Sequence, residues 1–251
     1  MPEFGLDALG TDDRSVSEVL GYILIFALVI SSVAFVSLFG TPALEGVQEN
    51  EMASNAERAL DVAAANFAAV YERNAPSRAT EIDLGGSSMY YDDPVTITVD
   101  IDGDEHTTEL RPVVLRVSDR TSLVYEGGAI FRVEGDGGTI RREPPMLLSD
   151  DRVQVPLVNT TTPANESVSG TTILLRGVSQ DRSVLATETD ETVEITVESP
   201  RYELWKRYFE GKSAVEDCDT PGDETVTCVI TNPDPDLIYV TEQEIEVSFI
   251  L

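Results

Sequence analysis

The run VLGYILIFALVISSVAFVSLF, Val19 to Phe39, decides how the rest of the chain is read. It is 21 residues long and carries no charged side chain. At about 1.5 Å per residue, a helix of that length spans a hydrocarbon layer of about 30 Å. The apolar core of an ordinary signal peptide is shorter, about 7–15 residues. No basic region precedes this run, and no A-x-A site follows it. A buried helix of a soluble protein also fits such a run. The other candidate spans are short strands, so a single-pass chain is expected, with residues 15–44 as the hydrophobic transmembrane helix.

Outward from this run the charge changes abruptly. The chain has 251 residues, with 46 acidic and 17 basic side chains and a formal net charge of -29. Of the basic residues, 15 are arginine and two, Lys206 and Lys212, are lysine. So acidic a chain repels phosphate backbones, which excludes nucleic-acid binding through a basic footprint. It equally excludes a polybasic grip on anionic lipid. Dense carboxylates with arginine preferred over lysine suit a protein living in concentrated salt, where self-repulsion is screened; a moderately acidic secreted protein is the plainer alternative. Residues 45–251 hold 41 acids and 16 bases, a net of -25, while residues 15–44 carry only Glu18.

Arg14 gives weak support for an inside N-terminus, because Lys and Arg in short flanks set orientation. Cys218 and Cys228 are the only cysteines. Separated by Pro221-Gly222, they read as a disulfide closing a short loop in an oxidising, extracytoplasmic setting; two free buried thiols are the alternative. Asn159-Thr160-Thr161 and Asn165-Glu166-Ser167 fit the N-glycosylation pattern in a Thr/Pro/Asn/Ser-rich loop. Together these features place residues 45–251 outside the cell.

The junction before the apolar run reads Asp12-Asp13-Arg14-Ser15-Val16-Ser17-Glu18-Val19-Leu20-Gly21. A short hydrophilic leader, a charged residue, a small residue, a second serine two positions on and then an uninterrupted apolar helix resemble the N-terminus of archaeal type IV pilins. One common form of that motif is Ser-Pro-Val-Ile-Gly; here Glu18 and Leu20 replace its Pro and Ile. The resemblance implies a leader of residues 1–14 and cleavage by a prepilin peptidase between Arg14 and Ser15. It further implies assembly with other pilin subunits by a membrane-bound ATPase and platform protein. Ser17 and Glu18 would then stand third and fourth in the mature chain. A carboxylate at the edge of an apolar helix is costly to bury unpaired. In a filament, the α-amino group of a neighbouring subunit would neutralise Glu18 and favour one axial register.

Gly40-Thr41-Pro42 predicts a kink or short break. A second helix is expected over residues 45–76, an amphipathic stalk with Ala53, Ala56, Leu60, Ala63, Ala64, Phe67, Val70 and Tyr71 on its apolar stripe. Past it the period changes to two, and residues 77–251 read as an extracellular β-rich head. Val95–Ile101 alternates cleanly, and Asp102-Gly103 marks a tight hairpin into a return strand running to about Val117. Further strands are expected at Ser122–Tyr125, Ala129–Glu134, Gly138–Arg142, Arg152–Val158, Gly170–Arg176, Thr192–Glu198, Thr225–Thr231, Leu237–Val240 and Glu244–Leu251. One short helix interrupts, with Ser199 as N-cap, Pro200 at its first position and Tyr202, Leu204, Trp205, Tyr208 and Phe209 on an aromatic face. The fold class is α+β: a long N-terminal helix followed by a mostly antiparallel, β-sandwich-like head.

Catalytic patterns are sparse. His106 is the only histidine and sits beside a hairpin without a triad motif around it. The cysteine pair lacks the four-ligand spacing of a zinc site. Asp100–Glu105 imitates a calcium loop but lacks the downstream bidentate Glu of an EF-hand. Asn232–Asp236 reads as a rigid, solvated acidic loop. No catalytic residue, cofactor or metal is therefore expected. The sequence reads as a non-enzymatic, pilin-like surface subunit, of minor or specialised type given its size, working in assembly, adhesion or surface structure. A single-pass anchored surface protein that binds partners and never polymerises is the alternative.

Overall fold

The structure is a computed structural model of the whole chain. It describes residues 12–149, 151–163, 167–230 and 236–251, with backbone alone for 12–18 and 39–50. Contacts divide the chain into two units, residues 1–51 and 52–251.

In the first unit, α1 covers Asp12–Phe35. A π-helical turn follows at Val36–Gly40, and α2 starts at Thr41 and runs to Arg73. The expected break at Gly40-Thr41-Pro42 is thus a widened turn. Pro42 follows closely on that turn; its nitrogen cannot donate to the preceding turn of a continuous helix, a common cause of such local widening.

The second unit contains the rest of α2 and all of the strands. In chain order these are β1 (Ser77–Asp83), β2 (Ser88–Tyr91), β3 (Val95–Ile101), β4 (Asp104–Leu110), β5 (Val113–Arg116), β6 (Thr121–Glu126), β7 (Ala129–Glu134) and β8 (Gly137–Arg142). Then come β9 (Leu147–Leu148), β10 (Arg152–Thr161), β11 (Ser167–Ser169), β12 (Thr172–Glu188), β13 (Val193–Glu198), α3 (Tyr202–Glu210), β14 (Val215–Asp219), β15 (Thr225–Ile230) and β16 (Leu237–Ile250). The result is an α+β fold built mostly of antiparallel strands with one short helix.

The strands form three sheets rather than the two faces of a simple sandwich. Their orders are β1-β12-β16-β10-β9, β11-β2-β5-β6-β7-β8 and β14-β15-β13-β3-β4. One pair, β10 with β16, is parallel. The expected return strand to Val117 is two strands in different sheets. Arg111-Pro112 separates them: proline cannot donate to a ladder, and the chain leaves the third sheet there to enter the second.

The second sheet is buried on both faces and separates two cores. Val114, Val124 and Phe131 point into the first core, where they meet Ile97, Val99, Ile195 and Val197 of the third sheet and Trp205 and Phe209 of α3. Met89, Leu115, Leu123 and Tyr125 point into the second core, against Leu60, Ala64 and Phe67 of α2. Residues 52–73 of α2 are therefore part of the head. Their apolar stripe, as spaced in the sequence, is a core face, and about 1.5–3 kcal/mol accompanies burial of each large side chain in it.

The first sheet serves both cores. Along β16 the buried residues are Ile238 and Val240, then Thr241, Gln243, Ile245, Val247 and Phe249. The phase of alternation slips at Val240-Thr241, yet pairing with β10 continues unbroken from Leu237 to Glu246. Successive side chains of a strand point to opposite faces. The early part of β16 therefore faces the first core, and the later part turns the opposite face of the same sheet to the second. The phase slip is why the sequence reads as two strands, Leu237–Val240 and Glu244–Leu251, where there is one.

Candidate functional site

Two features stand apart from ordinary core packing: the apolar stretch of α1, and a buried charged node beneath α3.

The apolar stretch runs from Val19 to Leu38, 20 residues with a mean hydropathy of 2.6, and none of it is buried within the chain. Its composition explains the helix: a run of Leu, Ile, Phe, Val and Ala without proline, in which Ser32 turns its hydroxyl back onto the Val29 carbonyl at 2.8 Å. Apolar residues occupy the whole circumference rather than one stripe, the pattern of a helix surrounded by hydrocarbon or by other helices. An exposed apolar surface of this size is rare on a folded monomer and marks an interaction site. By length and composition the helix is able to cross a membrane; a signal sequence meets the same description. The expected cleavage position between Arg14 and Ser15 lies within the helical backbone of Asp12–Phe35. The side chains of Arg14, Ser15, Ser17 and Glu18 lie outside the described residues.

In the head, Glu126 is fully buried at the end of β6. Its Oε1 accepts hydrogen bonds from the Ser199 hydroxyl at 2.8 Å and from the Trp205 indole N–H at 2.7 Å. Its Oε2 accepts from Arg201 Nε at 2.7 Å, with Arg201 Nη2 also 2.7 Å away. Arg201 in turn donates from Nη1 to Asp92 at 2.6 Å. Burial by itself would lower the Arg201 pKa; the charges and hydrogen bonds of Glu126 and Asp92 outweigh it, and the net shift is upward. The guanidinium stays charged, and the node is a fixed ion-pair network tying α3 to β6 and to the β2–β3 connection.

The backbone builds the node. Gly127 and Gly128 both take positive φ, +56° and +87°, in the β6–β7 turn. A side chain at Gly128 would meet Pro145 at 2.6 Å. Ser199 is not the N-cap of α3: the helix begins at Tyr202 with Arg201 as cap, and the Ser199 hydroxyl accepts from the Arg201 N–H at 3.0 Å. The serine is instead drawn inward by Glu126, which corrects the capping expectation. The aromatic face of α3 is core, with Leu204, Trp205, Tyr208 and Phe209 all buried. Burial and the Glu143 charge both raise the Tyr208 pKa.

The sequence reading misses Glu126, Ser199 and Arg201 as partners. An acid before Gly-Gly looks like a turn residue, and Glu126 and Arg201 lie 75 positions apart. No local pattern links them; only the approach of α3 to the β6–β7 turn does.

The remaining expectations sort as follows. Cys218 and Cys228 form a disulfide. Asn159 lies within β10, where its amide nitrogen donates to Glu242 at 3.1 Å and its Oδ1 is buried. A glycan on that nitrogen would have to displace this contact, so the first sequon sits in a ladder rather than an open loop. Asn165 and most of Asn232–Asp236 lie outside the described residues. Asp100–Glu105 is the expected hairpin: Asp102 and Gly103 take φ of 48° and 94°, and Asp100 accepts from the Gly103 N–H at 2.7 Å. His106 Nε2 lies 3.8 Å from Asp104, two positions earlier on the same strand. Among the described residues, no group of three or more His, Cys, Asp or Glu is placed to hold a metal ion.

Neither the curated proteins nor the solved structures contain a match to this chain. Its sequence does fit a family model along almost its whole length, apolar helix and head together, and from residue 14 to residue 248 the chain belongs to the DUF7289 family, a family of unknown function.

Proposed function

We propose that the chain is a pilin-like subunit of an archaeal surface filament, anchored in the membrane before assembly and held by its N-terminal helices afterwards. The observation that carries this reading is the wholly exposed apolar helix Val19–Leu38, placed directly after Arg14-Ser15-Val16-Ser17-Glu18. A bilayer and a bundle of like helices satisfy the same all-round apolar surface, so one segment serves both states.

In this reading a prepilin peptidase cuts between Arg14 and Ser15. A membrane ATPase and platform protein then assemble the mature subunit with its copies. The head is extracytoplasmic, which accords with its disulfide, and its carboxylate-rich surface suits concentrated salt. Its work is assembly, adhesion or surface structure, not catalysis. Glu18 sets axial register through the α-amino group of a neighbouring subunit.

The deciding measurement is the intact mass or N-terminal sequence of the protein isolated from its native cells. A mature chain starting at Ser15 is expected. A chain retaining Met1–Arg14 in cells with an active peptidase would leave a non-polymerising anchored surface protein as the better reading. Glu18→Gln is expected to reduce filaments on the cell surface while leaving head folding unchanged; normal filaments from that variant would remove the register role.

A further inference from the structure

β14 is an edge strand of the third sheet, and among the described residues β15 is its sole neighbour there. The two pair at four positions, with a bulge at Glu216 between Val215 and Asp217. Three of the five residues of β14 are carboxylates: Glu216, Asp217 and Asp219. Asp217 and Asp219 share one shallow depression with Glu194 of β13, lined otherwise by Pro221, Thr227 and Val229, and no cation is among its lining residues. Like charges gathered on one face of a sheet, here with the uncharged β15 between them, repel one another most at low ionic strength. A short, bulged, acidic edge strand is therefore poorly held by its own ladder.

What holds it is Cys218–Cys228. The two cysteines are directly opposite in the register, with Cα atoms 4.1 Å apart. That separation belongs to a non-hydrogen-bonded pair. The N–H and C=O of Cys228 therefore turn towards β13, and those of Thr227 and Val229 turn towards β14. The bridge closes a loop with a sequence separation of 10, which shifts an opening equilibrium by about a hundredfold. Cys228 is fully buried, whereas Cys218 is 9% exposed on the edge strand.

We propose that this disulfide is a redox latch on a charge-disfavoured edge strand. A dithiol reductant releases β14 from β15 at low ionic strength, while β15, β13 and β3 stay paired. The thiolate of the reductant attacks Cys218 Sγ and forms a mixed disulfide. Cys228 leaves as thiolate and takes up a proton. The second thiol of the reductant then displaces Cys218, which is also protonated, and the reductant ends as its own disulfide. Two electrons pass to the protein. The released strand uncovers a β15 edge on which Thr227 and Val229 present unpaired backbone groups, a template for extended chain.

The test is amide hydrogen exchange on the full chain in detergent micelles. Three forms are compared: oxidised, reduced with dithiothreitol as verified by thiol titration, and Cys218→Ala with Cys228→Ala. Each is measured at about 0.1 M and about 1 M salt, where the screening length falls from about 10 Å to about 3 Å. Thr227 and Val229 are expected to lose about a hundredfold in protection in the reduced and doubly substituted forms at low salt, and less at high salt. Val226, Ile195 and Val197 are expected to keep theirs. Unchanged protection of Thr227 and Val229 in the doubly substituted chain overturns the latch. Equal loss across β13 overturns it too, since the bridge then holds the whole sheet. Loss independent of salt overturns the part assigned to charge, and a disulfide that resists dithiothreitol overturns the redox gating.

Discussion

Helices α1 and α3 are opposite solutions to the burial of apolar side chains. In α3, polar and apolar residues alternate with helical period. Its apolar face, Leu204, Trp205, Tyr208 and Phe209, is buried in the head while Glu203, Lys206 and Glu210 remain outside. From Val19 to Leu38, α1 and the π-helical turn that continues it are apolar on every side and buried on none within the chain. The periodic helix finds its partner inside its own fold; the uniform one has to find it elsewhere. A second contrast follows from composition. The helix that finishes inside the head brings a charge with it, Arg201, and needs Glu126 and Asp92 to receive it. The apolar stretch of α1 brings none.

The sharpest way to break this comparison is to remove the receiving charge. Glu126→Gln leaves Arg201 buried beside a neutral amide and is expected to destabilise the head by about 3–5 kcal/mol, read by chemical denaturation of the full chain in micelles. A loss below about 1 kcal/mol would mean that the node is ornamental to the packing of α3. The matching change in α1 is Leu28→Arg. It is expected to cost membrane insertion about 3 kcal/mol and to lower the membrane-bound fraction, while the denaturation midpoint of the head stays put. A shift in that midpoint would show that this position contributes to the stability of the head.

Two smaller changes sharpen how residues 52–73 of α2 belong to the head. Gly177 lies under Phe67, and a Cβ there would come within 2.7 Å of the ring. Gly177→Ala is expected to cost about 1–3 kcal/mol by overpacking, with Phe67→Leu in the same chain restoring part of it. On the outside, Arg142 and Asp61 pair at 2.9 Å, with the aspartate side chain 61% exposed. Asp61→Asn is expected to cost no more than about 1 kcal/mol, and less as salt rises. A larger effect from Asp61 than from Gly177 would mean that charge, not apolar fit, docks this helix.

Legibility in the sequence follows the range of the interaction. The Asp102-Gly103 hairpin reads from its own residues because the turn needs two positive φ values and Asp-Gly supplies them. The alternation of Val95–Ile101 survives intact as the burial pattern of β3. β16 reads as two strands because one strand serving two cores on opposite faces shifts its phase midway. β14 does not read as a strand at all: Glu216, Asp217 and Asp219 have low strand propensity, and its ladder with β15, the cross-link to Cys228 and the packing of Ala214 and Val215 place it. Ser199 looks like a helix cap because serine before Pro200 has that local signature. Its partner is Glu126, from a strand 73 positions earlier.

By itself the sequence determined the uniform apolar helix, the amphipathic stripe of α2, the strand-rich head, the acidic surface and the pairing of the only two cysteines. Each of these rests on residue type and short-range period, which a chain carries before it folds. Only the tertiary structure decided that three sheets enclose two cores, that one strand feeds both, that α2 is partly head, and that Glu126, Arg201 and Asp92 meet. Those depend on which face of each element is turned to which neighbour, and a buried ion pair between residues far apart in the chain forms only once the surrounding apolar residues have excluded water from it.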